Sequence, residues 1–140
     1  MHRCLIADHS PIVRRVAKSI LMDFGFDVQD VQTGAEAIAI VNRFAPRVIL
    51  VDSALRDMPV LDVLRHIRDT CRQPTHAVYC PSEFDLLDLQ RAHAAGATDV
   101  LVKPFDRATL AGKIETWLGE PAPARPAYIS RLARSEIVRV

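Results

Sequence analysis

The sequence holds no apolar run near the roughly 20 residues that a membrane-spanning helix needs, so no membrane insertion is expected. It also lacks a basic N-terminal segment followed by an apolar stretch, the pattern of a secretory leader, and the expected setting is cytoplasmic. Charge of one sign is missing as well. The formal net charge of +1 makes no global case for DNA or an anionic bilayer as partner. Cys4, Cys71 and Cys80 are odd in number and show no Cys-x-x-Cys or Cys/His metal spacing. They read as buried small hydrophobes in a reducing compartment. No GxGxxG, Walker loop or Ser/His/Asp order occurs, so an independent enzyme is not expected.

What remains is a chain of 140 residues, 49% hydrophobic, enough for one well-cored domain and expected to be a monomer. Strand and helix patterns alternate along it. Cys4 to Ala7 reads as a buried strand, and Ser10-Pro11 supplies a cap and a first-turn proline for a helix that runs to Phe24 before Gly25. Phe26 to Val31 reads as a second strand. Thr33-Gly-Ala-Glu36 has the form of a capping box before a helix over Ala37 to Phe44. Arg47 to Val51 is continuously apolar after its first residue, as a strand covered on both faces must be. Val60 to Asp69 is predicted helical, Thr75 to Cys80 extended, and Glu83 to Ala95 helical with Gly96 as terminator. Val100 to Val102 is a fifth strand, and Asp106 caps a last helix carrying Leu110, Ile114, Trp117 and Leu118.

Five such units predict an α/β fold: a doubly wound, five-stranded parallel sheet with helices on both faces and its site at the carboxyl ends of the strands. Three chemically active side chains fall at those ends. Asp8 follows the first strand, Asp52 ends the third, and Lys103-Pro104-Phe105 follows the fifth. The topology brings two carboxylates and an amine into one pocket.

The stretches ADHSPIVRRVAKSIL, ILVD and AGATDVLVKPF resemble the CheY-like receiver domain of bacterial response regulators, over about residues 3 to 119. The resemblance implies a flavodoxin-like fold in which Asp52 is the phosphoryl acceptor, Asp8 the first of two acidic residues that help bind magnesium, and Lys103 the phosphate contact before a cis-proline. His9 stands where the family has its second acidic residue. Magnesium is a hard ion that prefers oxygen ligands, so Mg2+ binding is expected to be weak. Phosphoryl transfer relies on metal charge, so a weakened site removes a main catalytic term. Counted back from Lys103, the family's switch hydroxyl falls on Pro81, between Cys80 and Ser82, and a one-residue shift would use Ser82 instead. The loop after Asp52 also lacks the usual proline and glycine. The pocket reads as degenerate, with Lys103 and protonated His9 replacing the ion between the carboxylates.

The basic character lies at the C-terminus. Arg125, Arg131, Arg134 and Arg139 against Glu120 and Glu136 leave that stretch near +2 and the rest of the chain near −1. The chain divides into a receiver-like domain over residues 1–119, a Pro/Ala linker over 120–127 and an arginine-rich tail over 128–140. Drawn as a helix, the tail gathers Ile129, Leu132, Ala133 and Val140 on one side, with Ile137 at its edge, and places Arg131 and Arg134 together on the other. A single helix this short is marginal in water, so it is expected to order only when something docks on it. Arginine forks pair with phosphate or the acceptor edge of guanine, and tyrosine and guanidinium planes stack on bases.

The whole chain is similar to the Cle subfamily of CheY-like proteins, whose arginine-rich C-terminal segment binds cyclic di-GMP and whose loaded form engages the flagellar motor switch. The resemblance implies a cyclic di-GMP site built from Arg125, Tyr128, Arg131, Arg134 and Arg139, and a partner protein in place of DNA. Two rivals remain: a phosphorylatable single-domain regulator using Asp52 in a phosphorelay, and a ligand-free adaptor whose amphipathic tail is itself the partner-binding helix. Arg14-Arg15 and Arg65-His66-Ile67-Arg68 read as solvated helix faces, and Trp117 and Phe105 as packing for the last helix.

Overall fold

The computed structural model describes residues 1–119. The element order is β1 (Arg3–Ala7), α1 (Pro11–Asp23), β2 (Asp27–Val31), α2 (Gly34–Phe44), β3 (Val48–Asp52), α3 (Val60–Thr70), β4 (His76–Cys80), α4 (Leu86–Ala94), β5 (Asp99–Val100) and α5 (Arg107–Gly119). The strands form one parallel sheet in the order β2-β1-β3-β4-β5. The flavodoxin-like α/β architecture is therefore present as the strand and helix alternation implied.

Alternation along the central strands builds two cores. Leu5, Ala7, Ile49, Val51 and Tyr79 face α2, α3 and α4, where Val41, Leu64 and Leu89 cover them. Cys4, Ile6, Val48, Leu50 and Val78 face the other way, against Leu21 of α1 and Leu110, Ile114 and Trp117 of α5. Both faces of β3 are buried, which is why its sequence is an uninterrupted apolar run up to Asp52.

The helix starts follow their caps. Ser10 Oγ accepts from the Val13 N–H at 3.3 Å with Pro11 in the first turn, and Thr33 Oγ1 accepts from the Glu36 N–H at 3.1 Å while donating to the Glu36 carboxylate at 2.9 Å. Asp106 Oδ1 takes the Thr109 N–H at 2.8 Å. The α4 start differs from the expected Glu83, because Asp85 is the capping residue and accepts from the Asp88 N–H at 3.1 Å. Residues 83 and 84 precede that cap and stay outside the helix.

The fifth strand is shorter than expected, yet the chain keeps tracking β4. Leu101 N–H donates to the Tyr79 carbonyl at 2.9 Å and Lys103 N–H to the Pro81 carbonyl at 2.7 Å. That continuation carries Lys103 to the pocket, where a cis peptide joins it to Pro104. Cys4 and Cys80 are buried, as read from the sequence. Cys71 is a correction: at the C-terminal end of α3 it is only half-buried, beside Thr75. Trp117 is fully buried, its indole N–H donating to Asp99 Oδ2 at 2.9 Å.

No helix among the described residues is long and apolar enough to cross a membrane. The linker and tail assignments for 120–127 and 128–140 lie outside the described residues.

Candidate functional site

The site lies where β1, β3 and the segment after β5 end together. Asp8 and Asp52 are 3% and 1% exposed, so neither carboxylate can rely on water for its hydrogen bonds. Lys103 Nζ lies between them, donating to Asp52 Oδ1 at 2.7 Å and to Asp8 Oδ2 at 3.0 Å. His9 closes the other side. Its Nδ1 is 2.6 Å from Asp52 Oδ2, and its backbone N–H reaches the same oxygen at 3.3 Å. The Ala54 N–H adds a bond to Asp52 Oδ1 at 3.0 Å, so each carboxylate oxygen of Asp52 carries two donors. A carboxylate offers about four acceptor sites, and all are filled.

The balance of forces on Asp52 can be read from these partners. Burial pushes its carboxyl up, but the bonds from Lys103, Ala54 and His9 outweigh it and hold the group down at about 2. Burial likewise opposes charge on Lys103, while Asp52 and Asp8 more than restore it and raise the amine above its ordinary value. With Asp52 ionised, His9 Nδ1 must carry the shared proton, because a carboxylate has none to donate.

Further side chains hold the site, and the sequence reading missed them. Arg14 departs from the solvated face expected for Arg14-Arg15: its Nη1 donates to the Asp8 carbonyl at 2.7 Å and its Nε to Asp30 Oδ2 at 3.1 Å. Arg15, Arg65 and His66 are exposed, as a solvated face requires, whereas Arg68 also reaches the Ala94 carbonyl at 3.0 Å. Asp57 caps α2 from the loop after Asp52, accepting from the Gly34 N–H at 2.9 Å and the Ala35 N–H at 3.0 Å. That pair of bonds ties the β3–α3 loop to a neighbouring helix and holds the Asp57 carboxyl below its ordinary range. The signal available beforehand was slight: an aspartate in a loop, 23 residues from the helix it caps.

At the switch position β4 ends in Cys80, opposite Asp52, and Pro81 follows, buried and without a hydroxyl. Ser82 is exposed. Phe105 packs against the α1–α5 core.

The chain matches the family described as response regulator receiver domain over residues 4–115. It belongs to that family. The receiver chain is 30% identical to chemotaxis protein CheY of Bacillus subtilis over 105 residues, covering 74% of this chain and 87% of that protein. It is 30% identical to the transcriptional regulatory protein TrcR of Mycobacterium tuberculosis, covering 99% of this chain but 51% of that one. The receiver thus spans about half the length of that longer relative. Among solved structures, Vibrio cholerae chemotaxis protein CheY4 superposes with a TM-score of 0.77 at 26% identity, covering 83% of this chain and 98% of that one. The receiver domain of a Pseudomonas aeruginosa sensor histidine kinase, also at TM-score 0.77 and 25% identity with 85% and 98% covered, has magnesium coordinated in its active-site cleft.

Asp8, His9 and Asp52 each offer a ligand atom here, all within 4.8 Å of one another. One of the three is an imidazole nitrogen, which departs from the all-oxygen shell magnesium takes. The structure brings Asp8, His9, Asp52 and Lys103 together. The other candidate residues, Arg125, Tyr128, Arg131, Arg134 and Arg139, lie outside the described residues.

Proposed function

We propose that this receiver signals through a ligand held by its C-terminal arginines, with cyclic di-GMP as that ligand, and that Asp52 is not its ordinary input. The observation that supports the second half, that Asp52 is not the ordinary input, is the saturation of Asp52 by Lys103, Ala54 and the backbone N–H and Nδ1 of His9. An incoming phosphoryl group or metal ion must first displace one of them. His9 also weakens magnesium binding, and Pro81 supplies no hydroxyl to report a phosphate. A domain with its acceptor locked in this way needs another input.

The first half, the tail ligand, rests on the sequence of the tail and on its similarity to the Cle subfamily. Arg125, Arg131, Arg134 and Arg139 supply forks for phosphate and guanine, and Tyr128 a stacking plane. At roughly 1–3 kcal/mol per good base contact, the four arginines together with Tyr128 supply about 5–15 kcal/mol, enough for micromolar affinity, about −8 kcal/mol, after the tail is ordered. The loaded protein then engages a partner protein, for which the flagellar motor switch is the candidate. Binding of cyclic di-GMP to the full chain, followed by fluorescence anisotropy of a labelled nucleotide, tests the reading. Micromolar binding lost in the Arg131→Ala, Arg134→Ala variant supports it, and no binding to the unaltered chain ends it.

One observation favours a second reading. Asp52 is an ionised carboxylate held beside an amine, the arrangement of a phosphoryl acceptor. On that reading an Asp52 oxygen attacks the donor phosphorus, an acyl phosphate forms and the donor's leaving group departs. Phosphate incorporation at Asp52 from a small phosphodonor, abolished in Asp52→Asn, would establish it.

A further inference from the structure

Lys103 and His9 divide the two carboxylates of the pocket by oxygen atom. Lys103 Nζ takes Asp52 Oδ1 and Asp8 Oδ2, at 2.7 and 3.0 Å. The remaining oxygen of each, Asp52 Oδ2 and Asp8 Oδ1, lies toward His9 Nδ1, at 2.6 and 3.8 Å. Two carboxylate oxygens and one imidazole nitrogen therefore converge without drawing on the oxygens that the amine uses. Asp8 and Asp52 are buried, whereas the His9 side chain is 30% exposed, so an ion and a solvent molecule reach these three atoms from the His9 side.

The spacing suits a small shell. With bonds of about 2.0–2.1 Å in a tetrahedral arrangement, neighbouring ligand atoms stand roughly 3.3 Å apart. The two separations from His9 Nδ1 fall on either side of that value, so sub-ångström shifts place all three atoms around one ion. The groups that would orient the ligands are already engaged. The Ser10 N–H holds Asp8 Oδ1 at 2.9 Å, Lys103 and the Ala54 N–H hold Asp52 Oδ1, and Arg14 Nη1 holds the Asp8 carbonyl. None of these bonds has to break when an ion enters. What the ion displaces is the proton between His9 Nδ1 and Asp52 Oδ2, which leaves to solvent.

The donor set does not fit magnesium, which demands an octahedral shell of oxygens and gives up water reluctantly. It does fit a borderline divalent ion. Imidazole suits zinc, and the affinity of mixed nitrogen and oxygen sites rises along the first-row series toward copper and zinc. We propose that Asp8, His9 and Asp52 form a zinc-type site with little affinity for magnesium, in which the ion binds His9 Nδ1, Asp52 Oδ2 and Asp8 Oδ1 and leaves a fourth position to solvent. His9 on this account changes which ion the pocket takes. The site is independent of the tail and of any ligand held there.

The test is calorimetric titration of zinc and of magnesium into the full chain in a buffer without phosphate or nucleotide, comparing the unaltered protein with His9→Ala, His9→Asp and Cys71→Ser. One equivalent of zinc should bind the unaltered chain at least about tenfold more tightly than magnesium, and Cys71→Ser should match it, because the partly open thiol is not a ligand. His9→Ala should lose at least about tenfold in zinc affinity, and His9→Asp should narrow the preference for zinc over magnesium. Amide NMR spectra should show zinc moving residues 8–10, 52–54 and 103 first, and circular dichroism checks that each variant is folded. Absence of saturable zinc binding, full retention in His9→Ala, loss in Cys71→Ser, or an unchanged preference in His9→Asp would each overturn the proposal. Because no nucleotide is present, this outcome is separate from that of the tail-ligand reading.

Discussion

His9 Nδ1 and Lys103 Nζ hold opposite oxygens of Asp52, at 2.6 and 2.7 Å. Two nitrogen donors thus stand around the buried carboxylate of Asp52. The arrangement satisfies the buried charge of Asp52 locally and leaves an incoming ion to compete with both.

His9→Asp should therefore create a magnesium site. The variant replaces the imidazole with an oxygen donor and adds a negative charge beside Asp8 and Asp52, which only a cation can offset. Calorimetry should show no heat from magnesium up to about 10 mM in the unaltered chain and a saturable isotherm in the variant, an affinity gain of at least about tenfold. Equal binding by both proteins would show that His9 does not control the ion.

Stability should fall in acid through Asp52. Its folded value is lowered from 3.8 to about 2, so the folded form binds fewer protons than the unfolded chain in that interval. A depressed carboxyl contributes stability above its unfolded value and loses it as pH falls through the folded one. The loss between about pH 4 and pH 2 should be about 2 kcal/mol. Urea denaturation across that range should show a smaller fall in Asp52→Asn than in the unaltered chain, even though Asp52→Asn starts from a different stability.

Among the three thiols, Cys71 should react first. Burial pushes the Cys4 and Cys80 thiols far above their ordinary value, which removes the reactive thiolate, while Cys71 is partly open. A chromogenic thiol reagent should label one equivalent in the native protein and the other two only in denaturant. Cys71→Ser should abolish the native phase.

Gly25 and Gly96 both have positive φ, +89° and +114°, but different surroundings. A Cβ at Gly25 meets open space, so Gly25→Ala should lose only the backbone term, about 1 kcal/mol. A Cβ at Gly96 would lie 2.9 Å from Arg68 Cβ, so Gly96→Ala should lose more, about 2–3 kcal/mol. Urea midpoints of the two variants should rank in that order.

The sheet and the helix order were legible because both faces of the central strands are buried and the caps sit beside the residues they cap. Ser10, Thr33 and Asp106 announce their helices at a distance of three residues. The pocket was legible for a related reason: Asp8, Asp52 and Lys103 each terminate an apolar run, and parallel topology aligns such ends. What escaped were contacts whose partners are remote in sequence. Asp57 caps a helix on the earlier side of the strand it follows, and Arg14 reaches a backbone carbonyl and Asp30 at once. Neither has a local pattern, because the packing of neighbouring elements creates the acceptors. The start of α4 was misplaced because Glu83 and Asp85 both look like first-turn acids, and only the hydrogen bond to Asp88 N–H distinguishes them.

The most direct test of the account is calorimetric titration of cyclic di-GMP into three full-length proteins: the unaltered chain, Asp52→Asn, and Arg131→Ala with Arg134→Ala. The account predicts micromolar binding in the first two, because the input bypasses Asp52, and loss of at least about tenfold in the third. No heat with the unaltered chain would contradict it, and so would binding that the arginine variant retains in full.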